Sequence, residues 1–178
     1  QGDFKKALKY YTKSLHYLQS QEDKRGTAQI LSNIALIHKS LQETDTAIVL
    51  LKQSIALAKE ISHNSQAAMS LNNLAGIYTI RGEAELALNL HREALAIRKQ
   101  LQDQRGIAYV YAGMAEGFRV LQVYDSARYY GLVSDTMAIN IGLSELHKDV
   151  NEILSQVYAA QGDHEQAYAR HVRFKQLS

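Results

Sequence analysis

The sequence contains no cysteine, no proline and no tryptophan, and only 10 glycines among its 178 residues. The lack of cysteine excludes disulfides, thiolate nucleophiles and cysteine-bound metals. Average usage of about 5% proline would give roughly nine prolines in a chain of this length. Because tight turns rely on proline and glycine, their scarcity argues against a sandwich, a barrel or a doubly wound sheet. It predicts long helices joined by short connections.

The chain also lacks an excess of charge of one sign and a long apolar run. Its 20 basic and 18 acidic residues are interspersed, so bulk electrostatics favour neither a nucleic acid nor a membrane as partner. No stretch of 18 apolar residues is available to cross a bilayer. We expect a soluble segment, with the cytoplasm favoured over the periplasm. Because the chain begins with Gln1 rather than Met, we expect it to be a piece of a longer protein.

A repeat of forty residues organises the whole chain. The clearest column is an alanine, which recurs at Ala7, Ala47, Ala87, Ala127 and Ala167. A second column, twelve residues earlier, holds the small residues Ala35, Ala75, Ala115 and Ser155. A third column, nine residues before the alanine, holds His38, Tyr78, Phe118 and Tyr158. Columns that keep one common period predict repeats that stack, since a lone unit cannot bury its own apolar surface.

Each repeat predicts a hairpin of two helices. Leu74, Ala75 and Tyr78 lie at helical spacing and form one apolar stripe. Gly82 interrupts that stripe and suits the left-handed residue that ends a helix, and a second stripe starts at Ala87. We therefore predict nine helices, over residues 3–20, 26–41, 44–61, 65–81, 84–101, 105–121, 124–141, 145–161 and 164–177.

These columns resemble the tetratricopeptide repeat. That repeat has a small residue and an aromatic residue three apart on its first helix, then a turn similar to Gly-Asp-Tyr, then a fixed alanine on its second helix. The matching residues are Gly2-Asp3-Phe4 with Ala7, Ala75 and Tyr78 with Gly82 and Ala87, and Gly162-Asp163 with Ala167. The period of forty, with Asn33 and Asn73, is similar to the long-helix subgroup found in kinesin light chains and in bacterial sensor and regulator proteins.

The resemblance implies an all-α, right-handed solenoid of antiparallel helix hairpins. We expect a single array over residues 1–178. It would comprise a partial first unit at 1–27, full units at 28–67, 68–107 and 108–147, and a last unit at 148–178.

The resemblance also implies a ligand groove lined by the first helix of each unit. The groove residues carried over in this way are Asn33, Leu36, Lys39, Met69, Asn72, Asn73, Tyr109, Gly113, Glu116, Arg119, Asp149 and Glu152. The basic residues that grip a terminal carboxylate in chaperone-tail receptors of the family are missing from the corresponding columns. We therefore do not carry that ligand over.

Asn33 and Asn73 share one column in the middle of predicted helices. Asparagine is a poor residue there, because its amide competes for backbone hydrogen bonds. Two interpretations remain open: a ladder of carboxamides that holds an extended peptide, or hydrogen bonds to a neighbouring helix that set the packing. Gly113 replaces this asparagine one repeat later and, with Gly117, indicates either a close approach by a ligand or a packing adjustment.

No pattern of catalytic or metal-binding residues stands out. The seven histidines are scattered, and His164-Glu165 lacks the second histidine of a zinc-protease helix. Arg25-Gly26 and Arg105-Gly106 are interpreted as turns rather than as phosphate-binding loops. The sequence therefore predicts no catalytic residue, no metal and no cofactor in this segment.

The function favoured by these observations is that of a non-enzymatic binding module. We expect a protein or peptide segment in its groove and a role as the sensory or docking region of a larger signalling protein. Formation of a homo-oligomer remains an open alternative, whereas we expect this segment to contact neither nucleic acid nor a membrane. The alternative is a regulatory or dimerisation segment of a signalling enzyme, such as a histidine kinase or nucleotide cyclase, or of a transcription regulator.

Overall fold

The computed structural model describes residues 2–177, with side chains described from Phe4 onward, and these residues form nine α-helices and no β-strand. The helices are α1 (Gly2–Ser20), α2 (Lys24–Ser40), α3 (Thr44–Glu60), α4 (Asn64–Ile80), α5 (Ala84–Gln100), α6 (Gln104–Val120), α7 (Tyr124–Asn140), α8 (Ser144–Ala160) and α9 (His164–Leu177). The nine predicted helices are confirmed. Every predicted boundary lies within about two residues of the observed one, the usual uncertainty of a helix end. Gln1 and Ser178, the two ends of the predicted array, lie outside the described residues.

The helices are joined by three-residue turns that repeat one geometry. After α1, the Glu22 amide donates to the Gln19 carbonyl and the Asp23 amide donates to the Leu18 carbonyl. This pair of bonds defines a Schellman motif, which requires a left-handed residue after the helix. That residue is Glu22, Gln42, Ser62, Gly82, Gln102, Gln122, Gly142 or Gly162. The left-handed position therefore recurs every twenty residues, at half the period visible in the sequence.

The interpretation of Arg25-Gly26 and Arg105-Gly106 as turns is wrong. Both glycines lie in the first turn of a helix, where the Gly26 amide donates to Asp23 Oδ1 at 2.9 Å and the Gly106 amide donates to Asp103 Oδ1 at 2.8 Å. A Cβ at Gly26 would lie 2.6 Å from Asp23 Oδ2, closer than side chains approach in folded proteins. Glycine therefore makes room for the carboxylate that caps the helix.

The chain divides into two compact units, residues 1–77 and residues 78–178. In the first unit α1 packs on α2 and α2 on α3. Helices α3 and α4 are joined by a buried hydrogen bond of 2.8 Å between the Ser54 and Ser70 hydroxyls. Ser54 also donates to the Ala28 carbonyl of α2 at 2.7 Å. The predicted small-residue column is fully buried here, at Ala35 and Ala75.

In the second unit each helix from α5 to α8 packs on the next, α8 packs on α9, and α6 also packs on α8. The core of its last helices is formed by side chains including Ala138, Leu146, Val150, Leu154 and Tyr158. Contact between α6 and α8 brings the first helices of two successive repeats side by side. No helix in the described part of the chain is both long and apolar enough to span a membrane.

Candidate ligand-binding faces

The first unit carries half of the predicted groove on α2 and α4, a surface that we call the α2/α4 face. It consists of Asn33, Leu36, Lys39, Met69, Asn72 and Asn73. Leu36 and Met69 are exposed apolar side chains, and the others are half-buried. A Cβ at Gly76 of α4 would lie 3.9 Å from Lys39 Nζ of α2. Lys39 therefore extends across to α4, and glycine leaves open the space beside its amine.

The two asparagines of the shared column keep their hydrogen-bonding capacity. Within residues 4–177, neither the Asn33 carboxamide nor the Asn73 carboxamide forms a hydrogen bond with another group of the chain. Both are half-buried, so each amide is only partly open to water. A carboxamide in this position can donate and accept hydrogen bonds with a ligand. Whether these residues bind a ligand or serve packing stays a prediction.

The second unit carries the other half on α6 and α8, the α6/α8 face, which consists of Tyr109, Gly113, Glu116, Arg119, Asp149 and Glu152. Arg119 donates from Nε and from Nη2 to the two carboxylate oxygens of Glu116, both at 2.6 Å. The hydrogen bond to Glu116 raises the pKa of Arg119, against the opposing effect of burial. Arg119 is thus a compensated cation, whereas Lys39 has no ion pair within residues 4–177.

A histidine occupies the space where Gly113 would carry a side chain. A Cβ at Gly113 would overlap Cε1 of His91, so only glycine leaves space for this imidazole between α5 and α6. His91 is only 1% exposed, and burial lowers its pKa from 6.5 to about 4. The neutral ring is therefore the form that packs at neutral pH. Gly117 similarly accommodates Leu88, whose Cδ2 would lie 3.1 Å from an added Cβ.

The exposed side of α8 is acidic. Asp149 and Glu152 are exposed, as is Glu145 one turn before Asp149. Lys148 pairs with Glu145 at 3.0 Å. Partial burial raises the pKa of Asp149, Lys148 lowers it, and the nearby carboxylates of Glu145 and Glu152 raise it. Negative charge is therefore concentrated on this side of α8.

A buried polar network joins α7, α8 and α9, and it was not predicted from the sequence. The carboxylate of Asp135 accepts hydrogen bonds from Asn151 at 3.0 Å and from Arg170 at 2.6 Å, and it lies 2.6 Å from Nδ1 of His147. Asp135 is only 5% exposed and Asn151 is fully buried. These polar groups satisfy one another inside the core, so the network holds three helices together rather than offering a ligand site.

One feature of the sequence could have indicated this network. In three repeat columns at once, a polar residue replaces the apolar or aromatic residue of earlier repeats. One period before Asp135 the chain has Leu95. Earlier members of the other two columns are Leu90 and Tyr130 for Arg170, and Leu71 and Tyr111 for Asn151. A polar residue in one such column is a weak indication, whereas three in neighbouring helices indicate a buried cluster.

The described residues offer no site for a metal. Across residues 4–177, no group of three or more histidine and acidic side chains is arranged so that it could hold a metal ion. The histidines that lie near carboxylates do so in pairs, such as His38 with Glu43 at 2.5 Å. The two faces therefore offer amides, apolar side chains and charged groups to a ligand.

Two family models, both described as tetratricopeptide repeat, match the sequence, one over residues 1–60 and the other over residues 67–101. Together they cover more than half of the chain. The predicted resemblance is confirmed, and the chain belongs to the tetratricopeptide repeat family. A search of curated proteins finds no match to the sequence.

Solved structures share the fold over 99% of this chain. BtubC (BKLC) from P. vanneervenii is 24% identical with a TM-score of 0.81, and the match covers 73% of that chain. A Rap protein complexed with Competence and Sporulation Factor is 19% identical with a TM-score of 0.87, and the match covers 50% of it. A putative kinesin light chain from Podosopora anserina, with nearly identical TPR-like repeats, is 14% identical with a TM-score of 0.73 over 87% of its length. At these identities the likeness establishes the fold, an all-α solenoid of helix hairpins.

Proposed function

We propose that this chain is a non-enzymatic binding module that takes up an extended peptide segment of a partner protein. The segment lies along the exposed side of α2 and α4, and the module serves as the sensory or docking region of a larger signalling protein. The observation that carries the proposal is the pair of half-buried carboxamides, Asn33 and Asn73, without hydrogen bonds to the rest of residues 4–177.

The chemistry of the α2/α4 face suits a peptide backbone. An extended peptide presents alternating N–H and C=O groups, and a carboxamide can pair with both. Leu36 and Met69 supply exposed apolar surface for side chains of the peptide, and methionine adapts to varied shapes. The amine of Lys39 offers an uncompensated positive charge beside them. The combination favours a segment that carries apolar side chains and at least one acidic group.

The comparisons support a binding role without assigning a ligand to this chain. The tetratricopeptide repeat is typical of scaffolds that bind proteins or peptides. The Rap protein of similar fold is described as complexed with Competence and Sporulation Factor, which concerns that protein alone. The partner of the present chain has to be found by selection.

The test is selection of a random dodecapeptide phage library on the immobilised chain, followed by binding isotherms with the selected peptide. The double variant Asn33→Ala and Asn73→Ala should weaken binding on the order of ten- to hundred-fold, because each net hydrogen bond contributes roughly 0.5–1.5 kcal/mol. Its melting temperature should barely change, since alanine is a better helix former than asparagine.

The matched control is the double variant Gln53→Ala and Asn140→Ala. Both are exposed amides on second helices, α3 and α7, and their removal should leave affinity unchanged. A selected peptide that binds the Asn33→Ala and Asn73→Ala variant as tightly as the wild type would reject the carboxamide ladder. A large loss of thermal stability with intact binding would identify the asparagines as packing residues. Failure to select any specific peptide would contradict the binding role itself.

A further inference from the structure

The first helix carries a basic, aromatic surface directed away from its core side. This surface, the lysine face of α1, consists of Lys6, Lys9 and Lys13 with Tyr10 and Tyr17. All five side chains are exposed, and the two tyrosines are 67% and 66% exposed. Residues 4–20 contain no acidic side chain. Within residues 4–177 none of the three lysines forms an ion pair.

The lysine face is distinct from the side of α1 that packs on α2. The packing side holds Ala7, Leu8, Leu15 and Leu18, all half-buried. At 100° per residue these four lie together, and the three lysines lie on the opposite side of the helix. The packing of α1 on α2 therefore leaves the lysine face without a neighbour among the described residues.

The repeat shows that the same columns form an outer surface of the second helices α3 and α5. The columns of the three lysines hold exposed residues in α3 and in α5 as well, namely Thr46, Val49, Gln53, Leu86, Asn89 and Glu93. Only α1 places a positive charge in all three columns. The charge is therefore a property of this one helix and not of the repeat.

The exposed side of α8 has complementary charge. Its carboxylates are Glu145, Asp149 and Glu152, which lie opposite Val150 and Leu154 of the core. We call these three carboxylates the acidic face of α8. Glu145 already pairs with Lys148, whereas Asp149 and Glu152 have no ion pair within residues 4–177. Lys148 also interacts electrostatically with Asp149 and Glu152, so the acidic face combines three carboxylates with one amine and keeps a net negative charge.

The two faces also match in spacing when the helices run antiparallel. Along α1 the lysines are separated by three and then four residues, and along α8 read backwards the acids are separated by three and then four residues. At 1.5 Å rise per residue each set spans about 10 Å. The antiparallel pairing opposes Lys6 to Glu152, Lys9 to Asp149 and Lys13 to Glu145.

We propose that the lysine face of α1 in one copy of this chain docks antiparallel on the acidic face of α8 in a second copy. Tyr10 and Tyr17 flank the lysines and supply apolar area at the edge of the contact. The two surfaces differ, so the contact is heterologous and generates a ring or an open chain of copies rather than an isologous pair. The proposal goes beyond the peptide-binding function and does not depend on Asn33 or Asn73.

The first experiment is sedimentation velocity of the 178-residue chain over a range of concentrations. At about 50 mM salt the weight-average mass should rise with concentration. Raising the salt to about 500 mM should weaken association at least about tenfold, because salt screens exposed ion pairs. A chain that stays monomeric at low salt up to several hundred micromolar would overturn the proposal.

The second experiment exchanges the charges of the two faces. The basic-to-acidic variant carries Lys6→Glu, Lys9→Glu and Lys13→Glu, and the acidic-to-basic variant carries Glu145→Lys, Asp149→Lys and Glu152→Lys. Each variant alone should lose self-association. An equimolar mixture should regain it, because each altered face then meets a face of opposite charge.

The matched control carries Lys52→Glu, Lys99→Glu and Arg105→Glu, which makes the same change in net charge at exposed positions outside α1. It should associate like the wild type, and circular dichroism should confirm helical content in every variant. Association that survives the α1 exchange, or a mixture that stays dissociated while both variants are folded, would overturn the pairing. The carboxamide test changes Asn33 on α2 and Asn73 on α4, and neither residue belongs to the lysine face of α1 or the acidic face of α8, so the two proposals fail separately.

Discussion

At the scale of single residues, His91 is a titratable side chain in a column that holds Leu51 one repeat earlier. Its pKa of about 4 in the folded chain lies below the ordinary value of 6.5. Between these values the unfolded chain binds a proton that the folded chain does not, so the free energy of unfolding falls as the pH drops below 6.5. The loss attributable to His91 should reach about 2 kcal/mol by about pH 5.

We expect His91→Leu to remove that part of the pH dependence. Denaturant unfolding at about pH 7 and about pH 5 measures it, and the difference between the two conditions should be about 2 kcal/mol smaller in the variant than in the wild type. His164→Gln is the control, because His164 is exposed and its replacement should leave the difference unchanged. Equal pH dependence in the wild type and His91→Leu would show that the imidazole is not buried in its neutral form.

Contacts between individual side chains were the least predictable feature from the sequence. The sequence showed that Gly113 replaces the asparagine of its repeat column. It did not show that the space left by the missing side chain is filled by His91, which lies on another helix. The network around Asp135 was likewise visible only as polar residues in apolar columns. Each residue of the network occupies a different repeat column. A single sequence does not show which of these polar residues contact one another in the folded chain.

At the scale of elements, the left-handed turn residues carry backbone strain. Five of the eight are not glycine, and a side chain in this conformation costs about 1–2 kcal/mol. Glycine does not have that cost. Its greater conformational freedom in the unfolded chain, however, lowers the free energy of unfolding by about 0.5–1 kcal/mol. These turns therefore leave room for stabilising substitutions.

We expect Gln42→Gly to raise the free energy of unfolding by about 0.5–1 kcal/mol. The reverse change, Gly82→Ala, should lower it by about 1 kcal/mol, and an added Cβ there meets no atom within 4 Å, so only the backbone is tested. Gln53→Gly, in the middle of α3, should be destabilising by about 1 kcal/mol. Denaturant titrations measure all three. A Gln42→Gly variant that loses stability would contradict the role of the turn.

The positions of the helices could be predicted because the apolar columns of the repeat are regular. Ala35, Ala75 and Ala115 form one such column, and all are fully buried. The twenty-residue period of the turns was not predicted. The left-handed residue is glycine at Gly82 but serine at Ser62, twenty residues earlier, and only the backbone reveals that these two turns are equivalent.

At the scale of the whole molecule, stability in a repeat protein is local to neighbouring helices. The network around Asp135 should therefore hold α7, α8 and α9 together without affecting helices of the first unit. Asp135→Leu leaves the guanidinium of Arg170 half-buried without its carboxylate, and such a loss typically costs about 3–5 kcal/mol.

We expect hydrogen exchange in Asp135→Leu to accelerate in α7, α8 and α9 and to stay unchanged in α2 and α3. The triple variant Asp135→Leu, Asn151→Leu and Arg170→Leu, which fills these columns with apolar residues, should recover most of the lost protection. Uniform acceleration in both units would contradict local stability. Normal exchange in Asp135→Leu would show that the network contributes little.

The regular spacing of the turns restricts which changes in chain length the array can accommodate. A left-handed residue every twenty residues means that one helix and its turn form a step of constant size. Removing one internal step would leave the remaining turns twenty residues apart. It would, however, put a second helix in the place of a first helix, so that the buried faces of the two kinds of helix would no longer match their neighbours. Removing two steps restores the match. An insertion or deletion inside such an array therefore preserves the order of first and second helices only when it spans two steps, even though a single helix and its turn form the smallest structural step.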